Sequence, residues 1–160
     1  EMSASELAGF SKPWAPVAEE LHRRGLNDPD KIYAVWHPSV SRAPGTVLCG
    51  VQTEHESVPY AFSFFERVVG GKNICVNQPI TMVHELFHAF GAVAPCATNY
   101  ASDDDGLQSA HVDDDPNDLM YSGERSGIPI ELDEGRDDYF EHDIPGCVDT
   151  ADSPYLGPRS

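Results

Sequence analysis

The stretch that most constrains this chain is Ile80–Gly91, with the sequence ITMVHELFHAFG. It contains Glu85, the only charged residue between Lys72 and Asp103. A proline just before the stretch suits the first turn of a helix, and its closing glycine suits the end of one. Apolar side chains cover most sides of this predicted helix, which indicates that the helix is buried. An acid in such a position needs a chemical reason.

Two histidines four residues apart, His84 and His88, project from the same face of the predicted helix. Two imidazoles at this spacing can bind one Zn²⁺, which lowers the pKa of a bound water to roughly 7. Glu85, beside them, can take a proton from that water and deliver it to a leaving amine. The pattern therefore predicts zinc-dependent hydrolysis of peptide bonds. The alternative is a buried helix whose histidines are only hydrogen-bonded.

The size and composition indicate one globular domain, residues 1–160, that can bury a real core. The formal net charge is −17. Such an acidic surface repels nucleic acid and anionic membranes, so we expect neither as a partner. No apolar run is long enough to span a membrane, no signal peptide is recognisable, and the irregular start suits a processed product. We expect a monomer that acts on a protein or peptide substrate.

The chain has four widely spaced cysteines and therefore no C-x-x-C motif of the zinc or redox type. An even number of such cysteines predicts two disulfides and an oxidising, extracellular compartment, although four buried thiols are the alternative. Four cysteines allow three pairings. Our prediction is Cys49–Cys75 with Cys96–Cys147, in which each disulfide ties one half of the fold.

Hydrophobic patterning predicts an α+β fold, in which a few-stranded sheet packs on the buried active-site helix. The predicted elements before that helix are a helix followed by strands: Lys12–Arg24, Lys31–Trp36, Thr46–Gln52, Tyr60–Val69 (ambiguous with helix) and Asn73–Val76. The stretch from Ala94 to Gly127 is polar, and we expect little regular structure in it before Met120. A short helix over Asp133–Glu141 and a coil from Pro145 complete the prediction.

The helix motif resembles that of the metzincin zinc peptidases, which carry His-Glu-x-x-His-x-x-Gly-x-x-His/Asp and a later methionine-containing turn. Here His84, Glu85, His88 and Gly91 match in register. The position of the third metzincin ligand is occupied by Ala94, which cannot bind a metal. The resemblance implies a small metzincin-like endopeptidase domain with Zn²⁺ as its cofactor and with a displaced third ligand.

The segment His111–Tyr121 resembles a displaced third ligand followed by a Met-turn. On this resemblance His111 binds Zn²⁺, Met120 packs beneath the metal, and Tyr121 hydrogen-bonds the developing oxyanion. Ordinary core roles for the methionine and the tyrosine stay open. This segment and the run Gly135–Phe140 also resemble a group of secreted bacterial proteins, which supports a secreted protein.

Other third ligands are open as well. Asp118 begins a stretch similar to the aspzincin pattern Asp-x-x-Tyr-Gly, in which the aspartate binds zinc. The remaining candidates are acids of the loop, acids further downstream and one histidine: Asp113, Asp114, Asp115, Glu131, Glu134, Glu141 and His142. Because Ala94 stands at the usual ligand position, a non-catalytic zinc- or calcium-binding module is the competing function.

Two acidic runs, Asp103–Gly106 and Asp113–Asp115, make Ca²⁺ a second candidate ion, because a hard cation prefers oxygen ligands. Neither run fits an EF-hand loop, since Ala101 and Val112 fall where its first and last acids belong. A solvated acidic face is the commoner outcome for such runs.

Overall fold

A computed structural model of the chain describes residues 14–38, 41–43, 46–64, 68–69, 72–73, 75, 78–101, 110–121, 123 and 131–157. The chain forms two compact units, Glu1–Ala89 and Phe90–Ser160. The described residues form a small mixed α/β structure with two α-helices and a few-stranded sheet, which is compatible with the predicted α+β class. A single peptidase domain over residues 1–160 stays a prediction.

Helix α1 spans Trp14–Arg23 and lies within the predicted helix; the first residues of that prediction are outside the described part of the chain. Gly25 ends it with a positive φ of 90°. The N–H of Gly25 donates to the carbonyl of His22, and the N–H of Leu26 donates to that of Leu21. These two bonds satisfy carbonyls that the end of a helix leaves without partners, as in a Schellman motif.

The main sheet of the first unit has three strands in the order β1-β5-β4. Strand β1 is Tyr33–His37, β4 is Gly50–His55 and β5 is Val58–Phe64. Strand β5 lies in the centre, parallel to β1 and antiparallel to β4, and every residue in it is buried. The remaining strands of this unit form two short antiparallel pairs: β2 (Ser41–Ala43) with β3 (Thr46–Leu48), and β6 (Val68–Val69) with β7 (Lys72–Asn73).

Two predicted strands are divided in the structure. The predicted strand Thr46–Gln52 is interrupted at Cys49, because β3 pairs with β2 whereas β4 pairs with β5. The segment Tyr60–Val69 was predicted as strand or helix. Its described residues are strand: the first part belongs to β5, which pairs within the main sheet, and the last part is β6, which pairs with β7. The apolar pattern located these strands, but a change of hydrogen-bonding partner is not visible in a sequence.

The core of the first unit lies between α1 and the sheet. Alternate residues of β5 point to this side, because side chains of a strand alternate between its two faces. They pack with Trp14 and Ala18 of α1 into one buried cluster, whose strand members are Val58, Tyr60, Phe62 and Phe64. Burial of these apolar side chains stabilises the unit by roughly 1.5–3 kcal/mol for each large residue.

Helix α2 spans Gln78–Phe90 and confirms the predicted helix. Gly91 follows it with a φ of 95°, as the sequence predicted. Met82 and Glu85 are buried, whereas Val83 is 42% exposed, so the helix is not buried on all sides as expected.

Strand β4 and helix α2 approach each other closely at Gly50. A Cβ atom added there would lie 2.5 Å from Oε1 of Glu85 and 2.6 Å from Cγ2 of Thr81. Real Cβ contacts are not this short, so any larger residue would force the two elements apart. The absence of a side chain at this one position therefore lets the helix bring Glu85 against the strand.

The described residues of the second unit contain little regular structure. Strands β8 (Tyr100–Ala101) and β9 (His111–Val112) form a short antiparallel pair. Two 3₁₀ helices, Thr150–Asp152 and Pro154–Leu156, lie in the tail that was predicted as coil. The scarcity of regular structure in the described residues between Ala94 and Met120 confirms the prediction for that loop.

The predicted helix over Asp133–Glu141 is wrong. This segment forms turns and bends, with positive φ at its two ends and at Gly135 and Arg136. Residues in that region of φ cannot continue a right-handed helix. The side chain of Asp133 accepts a hydrogen bond from the N–H of Tyr139 at 2.7 Å, which replaces the backbone ladder of a helix.

Both predicted disulfides are present. Cys49 bonds to Cys75 within the first unit, and Cys96 bonds to Cys147 within the second. Two such cross-links fit a chain that folds in an oxidising environment. Among the described residues, no helix has the length and apolar character needed to cross a bilayer.

We predict that Gly50→Ala lowers the free energy of unfolding by about 1–3 kcal/mol, as overpacking of a close contact does. Urea titration would measure this, and the same substitution in a Glu85→Ala background should cost less, because the carboxylate contact is gone. An equal cost in both backgrounds would contradict a contact between Gly50 and Glu85.

Candidate metal centre

The two histidines of α2 present their imidazoles to the same point. The Nε2 atoms of His84 and His88 lie 3.1 Å apart, and the two rings are perpendicular with centroids 4.7 Å apart. Two nitrogens that each bind a tetrahedral zinc ion at about 2.0–2.1 Å would be separated by roughly 3.3 Å. The spacing of this pair therefore suits two ligands of one ion.

His111 belongs to the same group of potential ligands. One nitrogen from each of His84, His88 and His111 lies within 4.8 Å of the other two, and the group could hold a metal ion. Imidazole suits Zn²⁺, Cu²⁺, Fe²⁺ and Ni²⁺, whereas Ca²⁺ and Mg²⁺ prefer oxygen ligands. The donor set therefore favours a transition metal or zinc.

The backbone around His111 is held in place by a short turn within the second unit. Ala101 pairs with His111 across β8 and β9. The N–H of Val112 donates to the carbonyl of Met120 at 3.0 Å, which ties the start of the His111–Tyr121 segment to its end. Met120 is completely buried. Its predicted place beneath the metal stays a prediction.

Glu85 lies in an environment that changes its acidity. It is 6% exposed and packs against Gly50 of strand β4. Burial raises the pKa of Glu85 to about 8, and a hydrogen bond from the backbone N–H of Gln52 acts in the opposite direction. A carboxyl whose pKa lies near neutral pH is suited to accept and release a proton.

Two alternatives for the third ligand have their polar atoms engaged within the second unit. Asp118 is 3% exposed and accepts hydrogen bonds from the N–H of Met120 at 2.6 Å and from the hydroxyl of Tyr139 at 3.0 Å. Nδ1 of His142 accepts from the N–H of Ile144, so its Nε2 donates to the carbonyl of Val148. The group that contains the two helix histidines includes neither residue.

Tyr121, the predicted oxyanion donor, is half-buried. Its ring lies over Gly123, where an added Cβ would come within 2.8 Å of Cζ and 2.9 Å of the hydroxyl oxygen. The glycine therefore makes room for this ring. A catalytic role of the hydroxyl stays a prediction.

A second group of potential metal ligands is formed by Asp133, Asp137 and Asp138. The carboxylate of Asp133 already accepts hydrogen bonds from backbone N–H groups of its own turn, and that of Asp138 accepts from the N–H of Asn99 at 2.7 Å. These hydrogen bonds explain why the acids are held together. Of the two runs that suggested Ca²⁺, Asp103–Gly106 lies outside the described residues, and Ca²⁺ binding stays a prediction.

Two residues that position Glu85 were not predicted from the sequence. Gly50 provides the space and the backbone of Gln52 provides the hydrogen bond, and both belong to an edge strand far from the motif in sequence. The only available signal was a glycine inside a predicted strand, which can mark a close approach of another element.

We predict that unfolding of the metal-free protein depends on Glu85 between about pH 4.5 and pH 8. The unfolded carboxyl has a pKa near 4.5 and the folded one near 8, so the stability present below pH 4.5 is lost as the pH rises through this window. Glu85→Gln should remove this slope, whereas Glu54→Gln, which changes an exposed acid of strand β4, should retain it. Urea unfolding at several pH values, with a chelator present, would measure this dependence. The prediction would be contradicted if the free energy of unfolding changed with pH equally in wild type and Glu85→Gln.

The chain was compared with models of known protein families, with curated proteins and with solved structures, and none of them matches. The interpretation of the site therefore rests on the chemistry of its own residues.

Proposed function

We propose that this chain is a secreted zinc-dependent endopeptidase. The observation that carries the proposal is the grouping of His84, His88 and His111 next to a buried glutamate on the same helix. Three protein ligands with an open fourth position are the arrangement of catalytic zinc sites, whereas structural zinc sites have four protein ligands. The metzincin-like sequence pattern supports the same proposal.

Zn²⁺, held by the three imidazoles, would supply a Lewis acid and a water with a lowered pKa. Glu85 accepts the proton of the attacking water and delivers it to the amine that leaves. Tyr121 is the proposed donor to the oxyanion of the substrate.

The helix imposes the relative placement of these groups. His84 and His88 share a face, and Glu85 lies about a quarter-turn away from His84. The backbone N–H of Gln52 fixes the carboxylate of Glu85 against strand β4. A proton acceptor that is already oriented loses little conformational entropy when a substrate binds.

The proposed location is extracellular. Both disulfides are formed, and disulfides persist in oxidising compartments such as the extracellular space. The proposed substrate is a protein or peptide, since transfer of a proton to a leaving amine is the step that amide hydrolysis requires.

One observation favours a second function, that of a metal-binding module without catalysis. The Glu85 carboxylate packs against β4 and accepts a hydrogen bond from Gln52, so the fold alone gives this side chain partners. A module of this kind would bind the metal and leave peptides intact. The two functions differ in whether Glu85 acts in turnover.

We predict that Glu85→Gln lowers the rate of casein or peptide hydrolysis by about 10²–10⁴-fold, the usual contribution of a general acid–base group. Zinc content, measured on the same sample, should stay that of the wild type, because Glu85 is not a ligand. Glu54→Gln is the control and should retain activity. Unchanged hydrolysis by Glu85→Gln with zinc bound would exclude the mechanism, and a zinc-loaded wild type that cleaves nothing would favour the binding module.

We predict that His111→Ala weakens zinc binding by more than the roughly 10–100-fold that is typical for loss of an outer hydrogen-bond partner of a ligand. Competition with a chromogenic chelator would measure the affinity. His142→Ala removes one of the rival ligands and should bind zinc as the wild type does. Full zinc occupancy in His111→Ala would exclude His111 as the third ligand.

A further inference from the structure

The second unit contains a buried pair of polar side chains, Asp118 and Tyr139. Tyr139 is fully buried and Asp118 is 3% exposed. The hydroxyl of Tyr139 donates to the carboxylate of Asp118, lying 3.0 Å from Oδ1 and 3.3 Å from Oδ2. The same hydroxyl accepts from the N–H of Asp133 at 3.2 Å. Burying such a pair costs free energy because both groups lose contact with water. The pair stabilises the fold only when its hydrogen bonds are made.

Tyr139 is itself held from both sides. Its N–H donates to the carboxylate of Asp133 at 2.7 Å, and its carbonyl accepts from the N–H of Thr150 at 2.8 Å. The tyrosine therefore joins the turn that begins at Asp133 to the first 3₁₀ helix of the tail. Its hydroxyl has a fixed position from which it can orient Asp118.

A continuous series of hydrogen bonds leads from this pair to the strand that contains His111. Oδ1 of Asp118 accepts from the N–H of Met120 at 2.6 Å. The carbonyl of Met120 in turn accepts from the N–H of Val112 at 3.0 Å. Val112 is 1% exposed and directly follows His111. The carboxylate thus sets the turn at Met120, and this turn fixes the backbone beside His111.

We propose that Asp118 and Tyr139 are positioning residues for His111, which hold its strand where the imidazole serves as the third metal ligand. This inference rests on the proposed metal site. It assigns a role to two residues that are not ligands and do not take part in the proposed mechanism. Hydrogen-bonded groups behind a ligand commonly decide how well the ligand is oriented.

The acidity of the pair agrees with a structural arrangement of this kind. Burial raises the pKa of Asp118 to about 6, against the hydrogen bonds from Met120 and Tyr139. Burial and the neighbouring Asp118 carboxylate raise the pKa of the Tyr139 hydroxyl, so it stays a donor at neutral pH. The direction of the hydrogen bond from Tyr139 to Asp118 is therefore fixed.

The test is the affinity for Co²⁺ and the visible spectrum of the Co²⁺ form in wild type, Tyr139→Phe and Tyr60→Phe. Tyr60 is the matched control: it is also fully buried, it donates a single hydrogen bond to the carbonyl of Leu26, and it lies in the core of the first unit. We expect Tyr139→Phe to weaken Co²⁺ binding about 10–100-fold and to reduce the intensity of the absorption bands. Tyr60→Phe should lower stability without either effect.

The link through His111 is tested by a double-mutant cycle. In a His111→Ala background, Tyr139→Phe should no longer change Co²⁺ affinity, because the ligand that it positions is absent. Equal Co²⁺ affinity of wild type and Tyr139→Phe would overturn the inference. If Tyr139→Phe lowered Co²⁺ affinity equally in the His111→Ala background, the inference would also be overturned, since the effect of Tyr139 would then not act through His111.

A second variant covers the case in which Tyr139→Phe fails to fold. Asp118→Asn keeps an acceptor for the N–H of Met120, so it should retain Co²⁺ affinity better than Asp118→Ala does. Identical affinity of the two variants would contradict the proposed role. If the wild type itself binds no Co²⁺ or Zn²⁺, the proposed function fails, and this result is distinct from any result for the variants.

Discussion

The close approach of helix α2 to strand β4 at Gly50 is the contact on which the arrangement of the site depends. No Cβ fits between the strand and the side chain of Glu85, so this distance exists only because residue 50 is a glycine. The contact removes Glu85 from water and raises its pKa to about 8. One missing side chain thereby determines both the position and the acidity of the only charged group on the helix.

The two units contribute different kinds of structure. The first unit has a regular core, in which α1 covers the alternate apolar residues of the central strand β5. The second unit relies on turns, on one disulfide and on carboxylates that accept backbone hydrogen bonds. A core of packed strands tolerates few changes of geometry, whereas buried polar groups impose geometry only while every hydrogen bond is made. The strand of His111 depends on the second kind of structure.

The proposed peptidase function gives one chemical reason for three imidazoles grouped with a buried acid on the same helix. Two imidazoles with Nε2 atoms 3.1 Å apart and a third within 4.8 Å form a donor set with the spacing of a metal site. A structural zinc site would be expected to contain a fourth protein ligand. The neighbouring acid is what the proposed hydrolysis requires, and its action in turnover distinguishes the proposal from a metal-binding module without catalysis.

The sequence by itself determined the helix, its terminal glycine, the two histidines on one face and the strands as apolar segments. These features follow from local periodicity and from residue chemistry, which neighbouring residues determine. Only the tertiary structure decided that Gly50 admits Glu85, that β3 and β4 separate at Cys49, and that the predicted helix over Asp133–Glu141 is a series of turns. The first two depend on contacts between residues distant in the chain, which a local pattern cannot specify. The third depends on backbone hydrogen bonds to the side chain of Asp133, which replace the ladder of a helix. The role of Asp118 shows the same limit: the sequence offers an acid near a methionine, and only the buried hydroxyl of Tyr139 gives that acid a fixed partner.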